Sequence, residues 1–264
     1  IGSGIQSWAT AIRNVSDSQA AIVYVGENAT LEAEADNLLG NATASGIINE
    51  GGLAGIVILE DGTITATGSA TGRTEATGVA NTATDGVAGV GGSASTLTVV
   101  ATSSLGEAVA ISVDNVAVLG DAEVAFEDGS QVNALADGLT NAQAVALNND
   151  SQQGNASVRV DSASALHAEA IGGAEVNASG VINTGGPEAT TVLDESGITA
   201  TASGTGVVEA TAVDNTATTG RAGVGADAST LMASATSGNS YAVSTAIENR
   251  AETEARIRIR GGSV

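Results

Sequence analysis

The chain has 264 residues, of which 30 are acidic and eight are basic, and its formal net charge is −22. All eight basic residues are arginines, and cysteine is absent. This charge disfavours nucleic acid and anionic membrane surfaces as partners, because both are usually bound through a basic stripe. Without cysteine there is neither a disulfide framework nor a thiolate metal site. No apolar run reaches the roughly 18 residues that membrane insertion requires.

A three-residue signature recurs along the chain: a branched apolar residue, any residue, and asparagine. Its eight asparagines are Asn14, Asn49, Asn81, Asn115, Asn149, Asn183, Asn215 and Asn249. Subtracting their positions gives spacings of 35, 32, 34, 34, 34, 32 and 34 residues. Such a near-constant period is the mark of a repeat protein.

Each repeat is predicted to contain three short strands. The first alternates apolar and other residues, as in Val57-Ile58-Leu59, which is the period-two pattern of a half-buried strand. A turn rich in Gly, Asp, Asn and Ser separates it from the second strand. The second strands are expected to begin at Leu31, Ile64, Leu97, Val132, Leu166, Ile198 and Leu231. A Gly-rich corner, expected to absorb the variation in spacing, leads to the third strand, which carries the asparagine.

A helical interpretation of the alanine-rich stretches is disfavoured, because Gly, Thr, Ser and Asn are too frequent in them. Aromatic residues make up 2% of the chain, and the apolar residues are mostly alanine and valine. A core of such small side chains suits closely stacked strands.

The asparagines are predicted to form an internal ladder. Alternation places Thr10, Ile12 and Asn14 on one face of a strand, and Val243, Thr245, Ile247 and Asn249 on one face of another. If the apolar residue points inward, the asparagine does too, and its amide can donate to one neighbouring asparagine and accept from another. Asparagine also tolerates the left-handed backbone angles of a sharp corner. The alternative is that asparagine is simply a common turn residue.

The ladder hypothesis ranks two substitutions. We expect Asn115→Leu to destabilise the protein more than Asn28→Leu, because only Asn115 belongs to the periodic set.

The sequence therefore predicts an all-β protein: a β-solenoid of about eight coils of roughly 33 residues, with three strands per coil and an internal asparagine ladder. Residues 41–117 match residues 175–251 without a gap at an offset of 134, so four coils form a duplicated block. Because a repeat array has no internal boundary, residues 1–264 are interpreted as a single domain.

Both ends of the chain are predicted to be half-coils. Residues 1–20 hold a third strand and its turn, and residues 252–264 hold a first strand and the start of a second. Joined end to end, these segments make approximately one coil, which indicates either head-to-tail polymerisation or a piece cut from a longer array.

Three arginines near the C-terminus, Arg256, Arg258 and Arg260, alternate along one predicted strand. They are candidate assembly contacts with an acidic face of a neighbouring subunit, for example the face that carries Glu32 and Glu34. On this interpretation assembly weakens with salt and with Arg258→Glu. The alternative is a solvated edge strand protected by charge.

Coils such as VYVGENATLEAEADN (23–37) and VILEDGTITATGSATG (57–72) resemble the repeats of large bacterial surface adhesins of the filamentous-haemagglutinin type. That resemblance implies a secreted, right-handed β-helix that serves attachment and aggregation. The segment LNNDSQQGNA (147–156) is similar to the turns of bacterial biofilm amyloids. Neither family supplies catalytic positions.

Enzymes built on β-helices need clustered carboxylates, often with a basic residue on one face. The acids predicted at the turns are Glu60, Asp61, Glu127, Asp128, Asp161, Asp194, Glu195 and Asp227. They are interpreted as an acidic rib, a candidate for weak calcium binding, and not as a catalytic pair. The single histidine, His167, is interpreted as a surface residue.

These observations favour a structural, non-enzymatic protein, extracellular or on the cell surface, that stacks head to tail with itself in a filament. Its role would be surface attachment or a place in a biofilm matrix, with no cofactor and with a glycan or cell surface as its other candidate partner. The alternative is a carbohydrate-active β-helix, either a polysaccharide lyase or a glycan-binding module.

Overall fold

The computed structural model describes residues 6–261, which form 23 β-strands arranged in three sheets. Sheet A contains β1 (Gln6–Ser16), β4 (Asn41–Gly51), β7 (Thr74–Ala83), β10 (Ala108–Ala117), β13 (Asn141–Ser151), β16 (Glu175–Gly185), β19 (Val207–Ala217) and β22 (Ala242–Ala251). Sheet B contains β2 (Ala20–Val25), β5 (Ala54–Glu60), β8 (Val87–Ser93), β11 (Ala122–Glu127), β14 (Ala156–Val160), β17 (Glu188–Asp194), β20 (Arg221–Asp227) and β23 (Glu254–Arg260). Sheet C contains β3 (Thr30–Asn37), β6 (Thr63–Ala70), β9 (Thr96–Ser103), β12 (Gln131–Gly138), β15 (Ala165–Gly172), β18 (Gly197–Gly204) and β21 (Thr230–Ser237). No helix that could cross a membrane occurs between residues 6 and 261.

The chain runs from sheet A to sheet B to sheet C and then repeats, and each strand pairs in parallel with the equivalent strand of the next coil. In β10, for example, Asn115 lies between Asn81 and Asn149. The architecture is a β-solenoid of about eight coils with three strands per complete coil, which confirms the predicted fold.

The predicted first and second strands are confirmed as sheets B and C. In β11, Val124 and Phe126 are buried while Glu123 and Ala125 are exposed, so simple alternation defines the two faces. The second strands begin one residue earlier than predicted, at Thr63 and not Ile64 in β6.

The predicted faces of the sheet A strands are partly wrong, because each strand contains a kink. In β10, Ser112 and Val113 are both buried, and the pairing register omits Ser112. The omitted positions are all small: Ala11, Gly46, Gly78, Ser112, Ala146, Gly180, Ala212 and Ala246. Two successive inward side chains shift the phase of alternation, so Thr10 lies on the outer face while Ile12 and Asn14 lie on the inner one. Val243 and Thr245 are likewise outside the face of Asn249.

Left-handed backbone conformations occur at the corner between sheets B and C, and not at the asparagine ladder as the sequence had suggested. Every coil has such a residue there, and the non-glycine ones are Asn28, Asp61, Ala94, Asp128, Ser162, Ala163, Glu195 and Ala228. The ladder asparagines lie within strands of sheet A and have ordinary extended angles.

Variation in coil length is also distributed differently from the prediction. Seven positions separate Asn115 from the inward Ala122, but only six separate Asn49 from the equivalent Gly55. One-residue differences of this kind occur at all three corners. The register survives because the strands themselves keep constant pairing.

The core consists of columns of small and branched side chains that lie between the three sheets. The largest buried residue, Phe126, fits because Gly92 precedes it in the same column. A Cβ on Gly92 would lie 2.6 Å from the Cδ1 and Cε1 atoms of Phe126. Small residues therefore make space for larger ones one coil away.

Ala228→Gly should stabilise the protein. Ala228 has a φ of 46°, and the left-handed conformation costs a residue with a Cβ about 1–2 kcal/mol. The conformational freedom of glycine in the unfolded chain offsets about 0.5–1 kcal/mol of this gain. We expect the free energy of unfolding, measured by urea titration, to rise by about 0.5–1 kcal/mol. Ala125→Gly, at an exposed strand position, is the matched control and should lower it; a fall for both variants would contradict the assignment of strain.

Candidate functional site

The asparagine ladder is continuous through all eight coils. In each step, the Nδ2 of one asparagine donates to the Oδ1 of the asparagine in the next coil, at 2.7–2.9 Å. The links run in order through Asn14, Asn49, Asn81, Asn115, Asn149, Asn183, Asn215 and Asn249. The six inner asparagines are fully buried, so the predicted ladder is confirmed.

The same amides also tie sheet A to sheet B. The Nδ2 of Asn115 donates to the carbonyl of Ala88 at 2.9 Å and to that of Glu123 at 3.3 Å. Both acceptors belong to sheet B, one in the preceding coil and one in the same coil. Each asparagine thus satisfies main-chain groups at the corner between two sheets, where the backbone cannot pair with itself.

The ladder has a direction. All amides donate towards the C-terminal coil, so each Oδ1 accepts from the coil before it. At the last coil, the Nδ2 of Asn249 donates to the carbonyls of Ala222 and Arg256. At the first coil, Asn14 donates to Asn49, and no other ladder asparagine precedes it to donate to its Oδ1. A further coil could therefore continue the ladder at either end only in the same polarity.

A second ladder, made of buried serines, runs along the corner between sheets B and C. It was not predicted from the sequence. The Oγ of Ser130 accepts from the main-chain N–H of Ser95 at 3.2 Å, and the Oγ of Ser164 accepts from that of Ser130 at 3.1 Å. Ser196 and Ser229 continue the column, although the Oγ of Ser196 itself is buried without a partner. The sequence signal that could have predicted this ladder is a serine directly before five of the sheet C strands.

The last coil exposes residues that belong to inward columns. Ile257 continues the column of Val224, which is buried, yet it is 52% exposed. Ile259 continues the column of Ala226 and is 55% exposed. In residues 6–261 this coil has strands in sheets A and B but none in sheet C, so nothing covers the two isoleucines. The predicted coil that joins residues 252–264 to 1–20 lies partly outside the described residues.

The three arginines singled out from the sequence lie in β23 at exposed positions. Arg256 forms an ion pair with Glu254 at 2.6 Å. Glu32 and Glu34 lie on the outer face of sheet C in the first coil. Because stacking continues each sheet with the same sheet, end-to-end stacking would not bring these acids to the arginines. The assembly role of the arginines stays a prediction.

The turn acids lie where predicted, at the ends of sheet B strands and at the corner that follows. One of them, Asp161, is buried and forms an ion pair with Arg159 through Oδ2 at 2.6 Å, while its Oδ1 has no partner. Within residues 6–261, no group of three acidic or imidazole side chains is placed to hold a metal ion. His167 lies on the outer face of sheet C, with its Nε2 3.6 Å from Glu169.

One carboxyl on the outer face of sheet A has a perturbed pKa. Burial, and to a smaller extent the charge of Asp114, raises the pKa of Asp150. Asn148 donates to Asp114 at 2.8 Å. We assign this cluster no chemistry.

No family model matches the chain, and no curated protein or solved structure matches it either.

Asn115→Ala should destabilise the protein strongly. It removes both ladder bonds of Asn115 and leaves the Nδ2 of Asn81 and the carbonyl of Ala88 buried without that partner. Since each orphaned group costs about 1–3 kcal/mol, the free energy of unfolding should fall by roughly 3 kcal/mol in a urea titration.

The matched control is Asn177→Ala, on the outer face of sheet A, which should change the stability by less than about 0.5 kcal/mol. Asn28, the control chosen from the sequence, is unsuitable because it has a φ of 58° and leucine would be strained there. Equal losses for Asn115→Ala and Asn177→Ala would contradict a structural role for the ladder.

Proposed function

We propose that this protein is a structural fibre or adhesin that assembles head to tail by stacking solenoid coils. The fibre acts outside the cell or on its surface, in attachment or in a biofilm matrix. The resemblance of coils such as residues 57–72 to bacterial surface adhesins supports this setting. The observation that carries the proposal is the in-register stacking of equivalent coils, whose asparagine ladder keeps one direction throughout.

The inward columns of the C-terminal coil continue those of the internal coils. Ile257 and Ile259 are aligned with the core columns of the preceding coils, so another coil placed on them would bury apolar area as each internal coil does. The open edges of β22 and β23 also present main-chain groups that a stacked strand would pair.

Ladder polarity supports head-to-tail contact. Stacked in this sense, the Nδ2 of Asn249 meets the Oδ1 of Asn14 in the next copy, and the donor-to-acceptor order of the internal bonds continues. A head-to-head contact would oppose two acceptors, and a tail-to-tail contact two donors. Sheet C has one strand fewer than sheets A and B in the described residues, so a continuous stack requires one further sheet C strand at the junction.

Negative-stain electron microscopy of the purified chain tests the proposal. We expect long fibres. The double variant Ile257→Glu, Ile259→Glu should reduce them to short rods of roughly 4 nm, since eight coils at about 4.8 Å give that length. Both side chains are already exposed, so the fold should tolerate the change.

Leu139→Glu is the control, because Leu139 is an equally exposed apolar residue that lies at the corner after β12. Its fibres should be unchanged. Short rods from the unmodified chain, or full-length fibres from the double variant, would contradict head-to-tail stacking through this coil.

A second candidate function, glycan binding, is favoured by the surroundings of the only tryptophan. Trp8 is 76% exposed on the outer face of sheet A, beside a shallow pocket that it lines with Gln6, Arg73 and Glu75. Arg73 bridges Glu75 at 2.6 Å and Glu107 at 3.2 Å. An exposed ring next to paired polar groups suits the apolar face and the hydroxyls of a sugar.

Because Trp8 is the single tryptophan, its fluorescence reports binding directly. We expect neutral oligosaccharides to shift the emission and Glu75→Ala to weaken the shift. Leu39→Trp in a Trp8→Ala background places an exposed tryptophan at the corner after β3 as the control. Emission that responds equally at both positions, or at neither, would exclude this candidate function.

A further inference from the structure

Four glycines on the outer face of sheet B have no explanation within the chain. They form two pairs, Gly89 with Gly91 in β8 and Gly223 with Gly225 in β20, at outward positions. None has a positive φ, and a Cβ added to any of them would meet no atom closer than 4.0 Å. Gly92, in contrast, makes room for Phe126. Since glycine weakens a strand and often marks the close approach of another backbone, these pairs suit contact with a second chain.

Each glycine pair lies beside a strand with larger outward side chains. Ile56 and Ile58 of β5 precede the first pair, and together with Glu123 and Ala125 they line a groove of about 350 Å³ above Gly89 and Gly91. Thr190 and Val192 of β17 precede the second pair. Coils are numbered from the N-terminus, each beginning with its sheet A strand. We call β5 and β17, in coils two and six, the raised strands, and β8 and β20, in coils three and seven, the bare strands. A raised strand thus lies next to a bare one at two places on this face.

The same face also departs from the overall charge. Its outward side chains include five arginines beside seven acids: Arg159, Arg221, Arg256, Arg258 and Arg260, with Glu60, Glu123, Glu127, Glu188, Asp194, Asp227 and Glu254. The outer face of sheet C contains five acids and no arginine in its described strands: Glu32, Glu34, Asp36, Asp137 and Glu169. In a chain of net charge −22, sheet B is the face on which a second copy meets least repulsion.

We propose that this face is a lateral interface between two antiparallel copies of the chain. Rotation of one copy by a half-turn about an axis parallel to the strands puts the first coil against the eighth, the second against the seventh and the third against the sixth. Ile56 and Ile58 then lie over the second copy's Gly223 and Gly225. Thr190 and Val192 lie over its Gly89 and Gly91, so each bare strand receives a raised one.

In the two central outward columns, which begin at Ile22 and Tyr24, the remaining coils match in charge. In the flanking column, by contrast, Glu60 faces the Asp227 of the second copy. The fourth coil meets the fifth, which brings Glu123 next to the Arg159 of the second copy, twice by symmetry. The first coil meets the eighth, which covers Ile22 and Tyr24 with Arg256 and Arg258 and allows a guanidinium to stack on the tyrosine ring. A parallel arrangement would instead oppose glycine to glycine and arginine to arginine.

The area of the face is sufficient for a stable dimer. Six residues at about 3.3 Å give a width of about 20 Å, and eight coils at about 4.8 Å give a length of about 38 Å. Each copy would bury about 750 Å², or about 1,500 Å² in total, which is the size of a standard specific interface. The pairing is independent of end-to-end stacking, because it uses the side of the solenoid and not its ends.

Site-directed crosslinking tests the pairing and its register. The chain has no cysteine, so Ile58→Cys with Gly225→Cys introduces the only thiols, in the Ile257→Glu, Ile259→Glu background that blocks stacking. A bismaleimide that spans the roughly 10 Å between packed sheets should yield covalent dimers, and peptide mapping should find residue 58 joined to residue 225.

Ile58→Cys alone should stay uncrosslinked, because the two positions lie five coils, about 24 Å, apart in the antiparallel pair. In sedimentation velocity, the Ile257→Glu, Ile259→Glu protein with no other change should be a dimer. The same protein with Gly91→Lys and Gly225→Lys added should be a monomer. Thr98→Lys with Ser234→Lys, in the same coils but on the outer face of sheet C, is the control and should leave the dimer intact. A monomer from the stacking-blocked chain, 58-to-58 crosslinks, or a ladder of higher multimers would overturn the proposal.

Discussion

The structure depends on parallel, in-register stacking of equivalent residues from one coil to the next. This stacking pairs the main chain of every strand, but it leaves a problem at the corners, where strands of different sheets meet and the main chain has no regular partner. The asparagine column solves that problem at the corner between sheets A and B. One amide, that of Asn115, bonds the next asparagine and two carbonyls of sheet B. A buried amide with all its groups satisfied stabilises the fold, whereas a gap in the column would leave several groups unsatisfied at once.

Stacking also explains why so few large side chains are needed. Each inward residue lies between its equivalents in the coils above and below, so alanine and valine are buried as completely as leucine is elsewhere. The corner between sheets B and C uses a different solution, a column of serine hydroxyls beside residues in left-handed conformation. The array tolerates strain at Ala94 and Ala228 because the strands on both sides hold the backbone in place.

A solenoid of this kind can extend in two directions, and the two contacts differ in their physics. Contact through the last coil would rest on apolar burial, strand pairing and ladder hydrogen bonds, which salt affects little. Contact through the outer face of sheet B would rest on the fit of raised strands into glycine-floored ones, with ion pairs at its centre and arginines packed on Ile22 and Tyr24 at its ends. Because the rest of the surface is acidic, salt screens the repulsion between copies as well as the attraction of Glu123 and Arg159. Lateral pairing would join two stacked fibres side by side and so double the width of the fibre.

The sequence by itself determined the coil period, the identity of the ladder asparagines and the two faces of sheets B and C. These features follow from local alternation and from spacing, which a single sequence displays directly. Only the tertiary structure decided the faces of the sheet A strands, because a one-residue kink such as that at Ser112 reverses the phase of alternation without a distinct sequence signature. It also decided which residues are left-handed, since Ala94 and Ala228 carry no turn signal. The tertiary structure also showed that Ile58 lies next to Gly91, because that contact depends on how β5 and β8 align. Contacts between residues some 33 positions apart arise from stacking, which no local pattern encodes.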